Sequence, residues 1–173
     1  RLIELYRRTD DFLSARILLD EILEAFPEDL KALRTYADVA LEEEDEKEAV
    51  ERLQTIEGVY ERAGEVDEAL DLYREMVEID PANLALREKF RDLLTRTDRQ
   101  EEALQVITKT CQILREKGNI KELVRNLEHA FSIEPDNPHL MMDHAQALDH
   151  LGKWGEAYIE RIKACELLLD RGE

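Results

Sequence analysis

The chain has 173 residues, with 42 acidic against 24 basic side chains and a formal net charge of −18. Such a charge repels a phosphate backbone, and no stripe of Lys and Arg interleaved with aromatics relieves it, so nucleic acid is excluded as a partner. The 43% apolar fraction is enough for a continuous core, and 38% charged residues suit a thin, helix-rich array with much surface.

Pro27, Pro81 and Pro135 recur 54 residues apart, and overlaying the chain on itself at that shift brings the rest into register. Val66 falls on Ile120 and Phe12, Ala69 on Leu123 and Ala15, Gly64 on Gly118, and Cys111 on Cys165. The repeat predicts an all-α chain of nine to ten helices, read as one domain over residues 1–173. Its units are 1–27 (partial), 28–81, 82–135 and 136–173 (partial). Arg1 opens inside a helical pattern, which reads as a segment of a longer protein.

In the first partial unit Leu2 and Tyr6 read as the tail of one helix, and a second follows from Phe12. From Leu30, the residues Leu33, Tyr36, Ala37, Ala40 and Leu41 recur at helical spacing and leave Lys31, Arg34, Asp38 and Glu42 outside. Asp45 and Glu48 read as a reciprocal capping pair for the next helix, buried along Ala49, Val50, Leu53, Ile56, Val59, Tyr60 and Ala63 and ended by Gly64. A third helix, Val66 to Ile79, is apolar over more than half its circumference. Asp80 and Pro81 read as the cap and first turn of the helix after it.

The second unit repeats the programme, with Asp98 and Glu101, then Asn119 and Glu122, marking helix starts. In the third, Asn137 and Pro138 start a helix. A last helix carries Ala157, Tyr158, Ile162, Ala164, Leu167 and Leu168, and no following helix covers its face from Tyr158 to Leu169. Uncovered ends predict self-association. Cys111 and Cys165 lie a whole unit apart, beyond disulfide reach, and both read as small buried hydrophobes in a reducing compartment. No secretory, membrane-spanning or lipidation signal is present, which predicts a cytoplasmic chain without membrane insertion.

Gly64, Val66, Ala69, Tyr73 and Pro81 resemble the tetratricopeptide repeat (TPR), a helix-turn-helix unit with small and large residues at fixed offsets. Gly118 with Ile120, Leu127 and Pro135 resembles it too, as does Gly152-Lys153-Trp154-Gly155-Glu156-Ala157, with Phe12, Ala15, Leu19 and Pro27 a partial match. The resemblance implies a right-handed α-solenoid of antiparallel helices that holds a peptide, a helix or a folded partner in a groove. The 54-residue period departs from the family's 34, and a three-helix, armadillo-like stacking is the alternative. Some family members clamp a C-terminal carboxylate with Lys and Asn. The matching positions here hold Arg34 with Asp38, Glu88 with Asp92, and Met142 with Gln146, so that clamp is absent.

No catalytic grouping emerges. The chain reads as a non-enzymatic scaffold or adaptor for a neutral or basic protein partner, without cofactor or metal; the alternative is a structural scaffold that self-assembles through its repeats. His139, Asp143 and His150 share a helix face but give a weak metal signal. His144 maps onto Tyr36 and Phe90 and reads as a neutral, hydrogen-bonded core ring, and Trp154 as a wedge that packs a helix turn. Arg161, where the repeat has Leu53 and Ile107, either snorkels to water or marks different packing. If the first helix of each unit lines the groove, the least charged outward set is His139, Met142, Gln146, Asp149 and His150. That set is the candidate anchor, with Lys31 and Arg34 the corresponding groups of the first unit.

Overall fold

The structure, a computed structural model, describes residues 1–172. Within them the fold is all-α and TPR-like: ten helices, most of them packed on the next in sequence, and no strand. They are α1 (Leu2–Arg8), α2 (Phe12–Ala25), α3 (Leu30–Glu42), α4 (Glu46–Ala63) and α5 (Val66–Ile79), then α6 (Leu84–Arg96), α7 (Gln100–Glu116), α8 (Ile120–Ile133), α9 (Pro138–His150) and α10 (Trp154–Arg171). The helices form two compact units, Arg1–Leu86 and Arg87–Glu173, with the division falling inside α6.

The period is visible in the backbone itself. Helices α2, α5 and α8 begin 54 residues apart, as do α3, α6 and α9, and α4, α7 and α10. Left-handed residues obey the same interval in two series: Asp10, Gly64, Gly118 and Gly172, and Glu44, Asp98 and Gly152. Two turns in every three thus pass through a left-handed residue, and Gly64 supplies its φ of 77° without the penalty a Cβ brings.

In the first unit α1 packs on α2, α2 on α3, α3 on α4 and α4 on α5. Ala15 and Leu19 of α2 bury against Ala32, Tyr36 and Val39 of α3, with Ile3, Tyr6, Phe12, Ile22 and Leu23 closing the cluster. In the second unit α7 packs on α8, α8 on α9 and α9 on α10. There the core includes Ala145, Leu148 and Ala157, with Val124 packed on it. Short alanines at the α9–α10 contact let the two helix axes approach closely.

Three helix starts differ from the sequence reading. Asp80 is the C-terminal boundary of α5, and the cap of α6 is Asn83, whose Oδ1 accepts from the N–H of Leu86 at 3.1 Å. Asn83 in turn donates to Asp80 at 3.0 Å, so the aspartate braces the cap rather than providing it. Asp98 sits in the left-handed turn before α7, at φ 60°, and its side chain does not cap; the N-cap is Arg99, whose side chain makes no capping hydrogen bond and donates instead to Glu102 at 3.4 Å. Asp45 does cap α4, accepting from the N–H of Glu48 at 3.1 Å, but Glu48 turns to Arg52 at 2.8 Å, an ion pair one turn on that outcompetes the reach back.

Candidate functional site

Helix α9 is built to hold one face still. Asn137 accepts from the N–H groups of His139 and Leu140, Pro138 fills the first turn, and the Asn137 amide donates to Glu134 at 2.6 Å. Pro138, His144, Ala145, Ala147 and Leu148 are buried behind it. On an arc of about 100° at helical spacing, His139, Met142, Gln146 and His150 stand exposed and Asp149 is half-exposed. The structure therefore places the five predicted α9 residues on one face.

The electrostatics of that face come from its neighbours. Helix α9 carries two carboxylates, Asp143 and Asp149. Arg115 of α7 pairs with Asp143 at 3.2 Å, and Arg161 of α10 donates to Asp149, which keeps the guanidinium pKa above its ordinary value. Both acids are balanced. In a chain of net charge −18, the α9 face presents a thioether, an amide and two imidazoles. Arg161 is thus neither free in water nor part of the core: one terminal nitrogen of its guanidinium is held by Asp149.

Behind the face, His144 lies edge-on to Phe131, with ring centroids 5.3 Å apart, and its Nδ1 is 2.8 Å from both carboxylate oxygens of Glu160. Its Nε2 is buried without a hydrogen-bond partner. The ring is in the core as the repeat implies, paired to a carboxylate of α10. Among the described residues no group of three or more His, Cys, Asp or Glu could hold a metal ion.

Lys31 and Arg34 lie on α3 in the first unit. Lys31 is exposed, whereas Arg34 bonds Glu75 of α5 at 2.7 Å and lies 3.4 Å from Asp38. The Glu75 bond raises the Arg34 pKa. A guanidinium so engaged is a strut between α3 and α5 rather than a free contact.

The α10 face from Tyr158 to Leu169, uncovered in the sequence reading, is exposed in the structure and is broader than that reading made it. Trp154, Tyr158, Ile162, Cys165 and Leu169 fall within an arc of about 80° on α10, and all are exposed, Trp154 at 72% and Leu169 at 75%. Trp154 does not wedge into its turn, and Cys165 is not buried; only Cys111 is, and burial pushes its thiol up to about 11. The available signal was the repeat: Glu46 and Gln100 match Trp154, Gln54 and Thr108 match Ile162, and Glu61 and Arg115 match Leu169. Apolar side chains stand where two earlier units place polar ones. No helix of the described chain is long and apolar enough to cross a membrane.

A family model described as bacterial transcriptional activator domain matches residues 37–160. No curated protein sequence matches the chain. Among solved structures, MamA 41-end from Desulfovibrio magneticus RS-1 is 14% identical, covering 99% of this chain and 97% of that one with a TM-score of 0.38. A second MamA crystal structure is also 14% identical, with coverage of 99% and 97% and a TM-score of 0.33. The TPR domain of P58(IPK) is 18% identical, covering 95% of this chain and 58% of that one, with a TM-score of 0.34. At these scores the three carry no argument about this chain.

Proposed function

Because the chain belongs to the bacterial transcriptional activator domain family, we propose that it is a protein-interaction module of a transcriptional regulator, working in the cytoplasm, without chemistry of its own. It binds a peptide, helix or folded protein and leaves DNA contact to other polypeptide, since a net charge of −18 opposes a phosphate backbone. One observation carries the reading: the α9 face is rigidly backed and neutralised by Arg115 and Arg161, in a surface that is otherwise strongly acidic. A partner loses little desolvating it. Met142 supplies an adaptable apolar contact, while Gln146, His139 and His150 supply hydrogen bonds at its edge. The acidic surroundings favour a neutral or basic partner and speed its approach.

The test is affinity capture on the intact chain, comparing it with the double variant Met142→Glu and His150→Glu and with Lys47→Glu, at an exposed position of α4, as a surface control. The expected result is a partner held by the wild type and by the Lys47 variant and lost from the double variant. Retention of every captured protein by the double variant would refute the α9 site.

A further inference from the structure

The exposed stripe of α10 is laid out as a helix-pairing seam. From Tyr158 the apolar positions follow at intervals of four, three and four: Tyr158, Ile162, Cys165, Leu169. That is the d-a-d-a order of a heptad repeat. Arg161 then falls at g and Glu166 at the following e, with Trp154 at the preceding g and Ile159 at its e. Positions g and the next e′ face each other only when two such helices run parallel. A second copy of α10 in that orientation sets Arg161 opposite Glu166′ and Trp154 beside Ile159′, each twice by symmetry. Run antiparallel, the same helices set Arg161 against Leu168′ and Glu166 against Ile159′, and no charge finds its opposite.

The stripe copies the helix faces that precede it only in part: Tyr158 stands where α4 buries Val50, and Cys165 where α7 buries Cys111. The position buried as Leu53 in α4 and Ile107 in α7 is Arg161 in α10, so a cover docked as in the earlier hairpins would meet a guanidinium. The apolar surface has moved instead to Trp154, Ile159, Ile162 and Leu169, whose counterparts in α4 and α7 are all polar. Asp149 engages one terminal nitrogen of Arg161, which leaves other donors of its fork for a carboxylate across the seam. Helix α9 contacts α10 along Ala157, whose direction on the helix is about 100° from the centre of the stripe.

We propose that α10 is a homodimerisation surface, in which two copies of the chain pair their α10 helices in parallel along Tyr158, Ile162, Cys165 and Leu169. The seam is two heptads long, so the interface is small, and pairing is expected at roughly 10 to 100 µM chain. It is separate from the α9 face, and the Met142→Glu, His150→Glu double variant should dimerise like the wild type.

Sedimentation equilibrium of the intact, reduced chain from about 5 to about 500 µM tests the proposal. The expected result is a concentration-dependent dimer that Ile162→Glu and Tyr158→Glu each weaken at least tenfold, with unchanged helical circular dichroism. Glu166→Arg sets like charges across a parallel seam and should weaken the dimer severalfold. A short bismaleimide should link Cys165 to Cys165 of the second copy, a product lost in Cys165→Ser and kept in Cys111→Ser. A monomer throughout the range overturns the proposal, as does a dimer indifferent to Ile162→Glu. Weakening by Leu13→Glu to the same degree would show that the exposed α2 face takes part, a head-to-tail contact incompatible with this pairing. Indifference to Glu166→Arg together with no Cys165 link overturns the parallel orientation.

Discussion

The α3–α4 pair of the first unit and the α9–α10 pair of the second share one backbone plan and differ in what joins their helices. Tyr36 of α3 is buried with the guanidinium of Arg52 from α4 4.1 Å from its ring centroid, and Arg16 of α2 approaches it at 5.5 Å while donating to its hydroxyl at 3.2 Å. The same two positions in the second unit, His144 and Glu160, meet as an imidazole and a carboxylate at 2.8 Å. Cation over ring has become ring beside anion. The repeat therefore fixes which positions touch, and leaves open by which force they attract. The same lesson holds along α4, α7 and α10, where Leu53 and Ile107 are core residues and their counterpart Arg161 is not.

Exchanging residues between equivalent positions breaks the comparison most severely at that third column. Ile107→Arg puts an uncompensated charge where only 2% of the side chain is exposed, and a loss of about 3 to 5 kcal/mol is expected in urea unfolding. The reverse exchange, Arg161→Ile, should leave stability unchanged while freeing Asp149, and should strengthen any α10 pairing that rests on apolar contact alone. If Ile107→Arg proved as mild as its reverse, the two positions would not be the unlike environments described.

Next in size is the His144 contact. Glu160→Val removes the partner of Nδ1 from a ring whose Nε2 is already unpartnered, and about 1 to 3 kcal/mol should be lost. The double variant His144→Phe, Glu160→Val copies the middle unit's Phe90 and Val106 and should recover most of that loss, since no polar group is then left unpaired. In the first unit, Arg52→Ala removes the cation over Tyr36 and an ion pair to Glu48, for a loss of about 1 kcal/mol. Arg52→Lys should restore only part, because a compact ammonium cannot lie flat on the ring and bond Glu48 together.

The helices were legible in the sequence because a 54-residue interval repeats the apolar pattern three times, and helix starts such as Val66 and Ile120 fall where the overlay puts them. What a single side chain does at a turn was not. Asp80 and Asp98 have the chemistry of a cap and sit at a turn, but a cap also needs the right backbone position; Asn83 and Arg99 hold it. The face of α9 was legible as a polarity pattern, whereas its neutrality was not, because Arg115 and Arg161 reach it from other helices. Trp154 was misread from its neighbours Gly152 and Gly155, which suggest a tight turn. Its exposure follows instead from its place on the outer side of α10.

The smallest expected effect lies in the turns that make the units alike. Glu44, Asp98 and Gly152 occupy one left-handed position, at φ 61°, 60° and 73°. For Glu44 the Cβ costs on the order of 1 kcal/mol in that conformation, offset in part by a less flexible unfolded chain than glycine would give. Glu44→Gly should therefore stabilise the first unit by about 0.3 to 0.8 kcal/mol, read as a rise in urea midpoint without a change in slope. Gly152→Glu should cost a similar amount in the second unit. A Cβ at Gly152 would meet nothing within 4 Å, so the backbone alone sets that cost. Equal and opposite shifts would show that the two turns are energetically the same object; a loss at Gly152 well above 1 kcal/mol would mean that this turn, between the α9 face and α10, carries a constraint the first unit lacks.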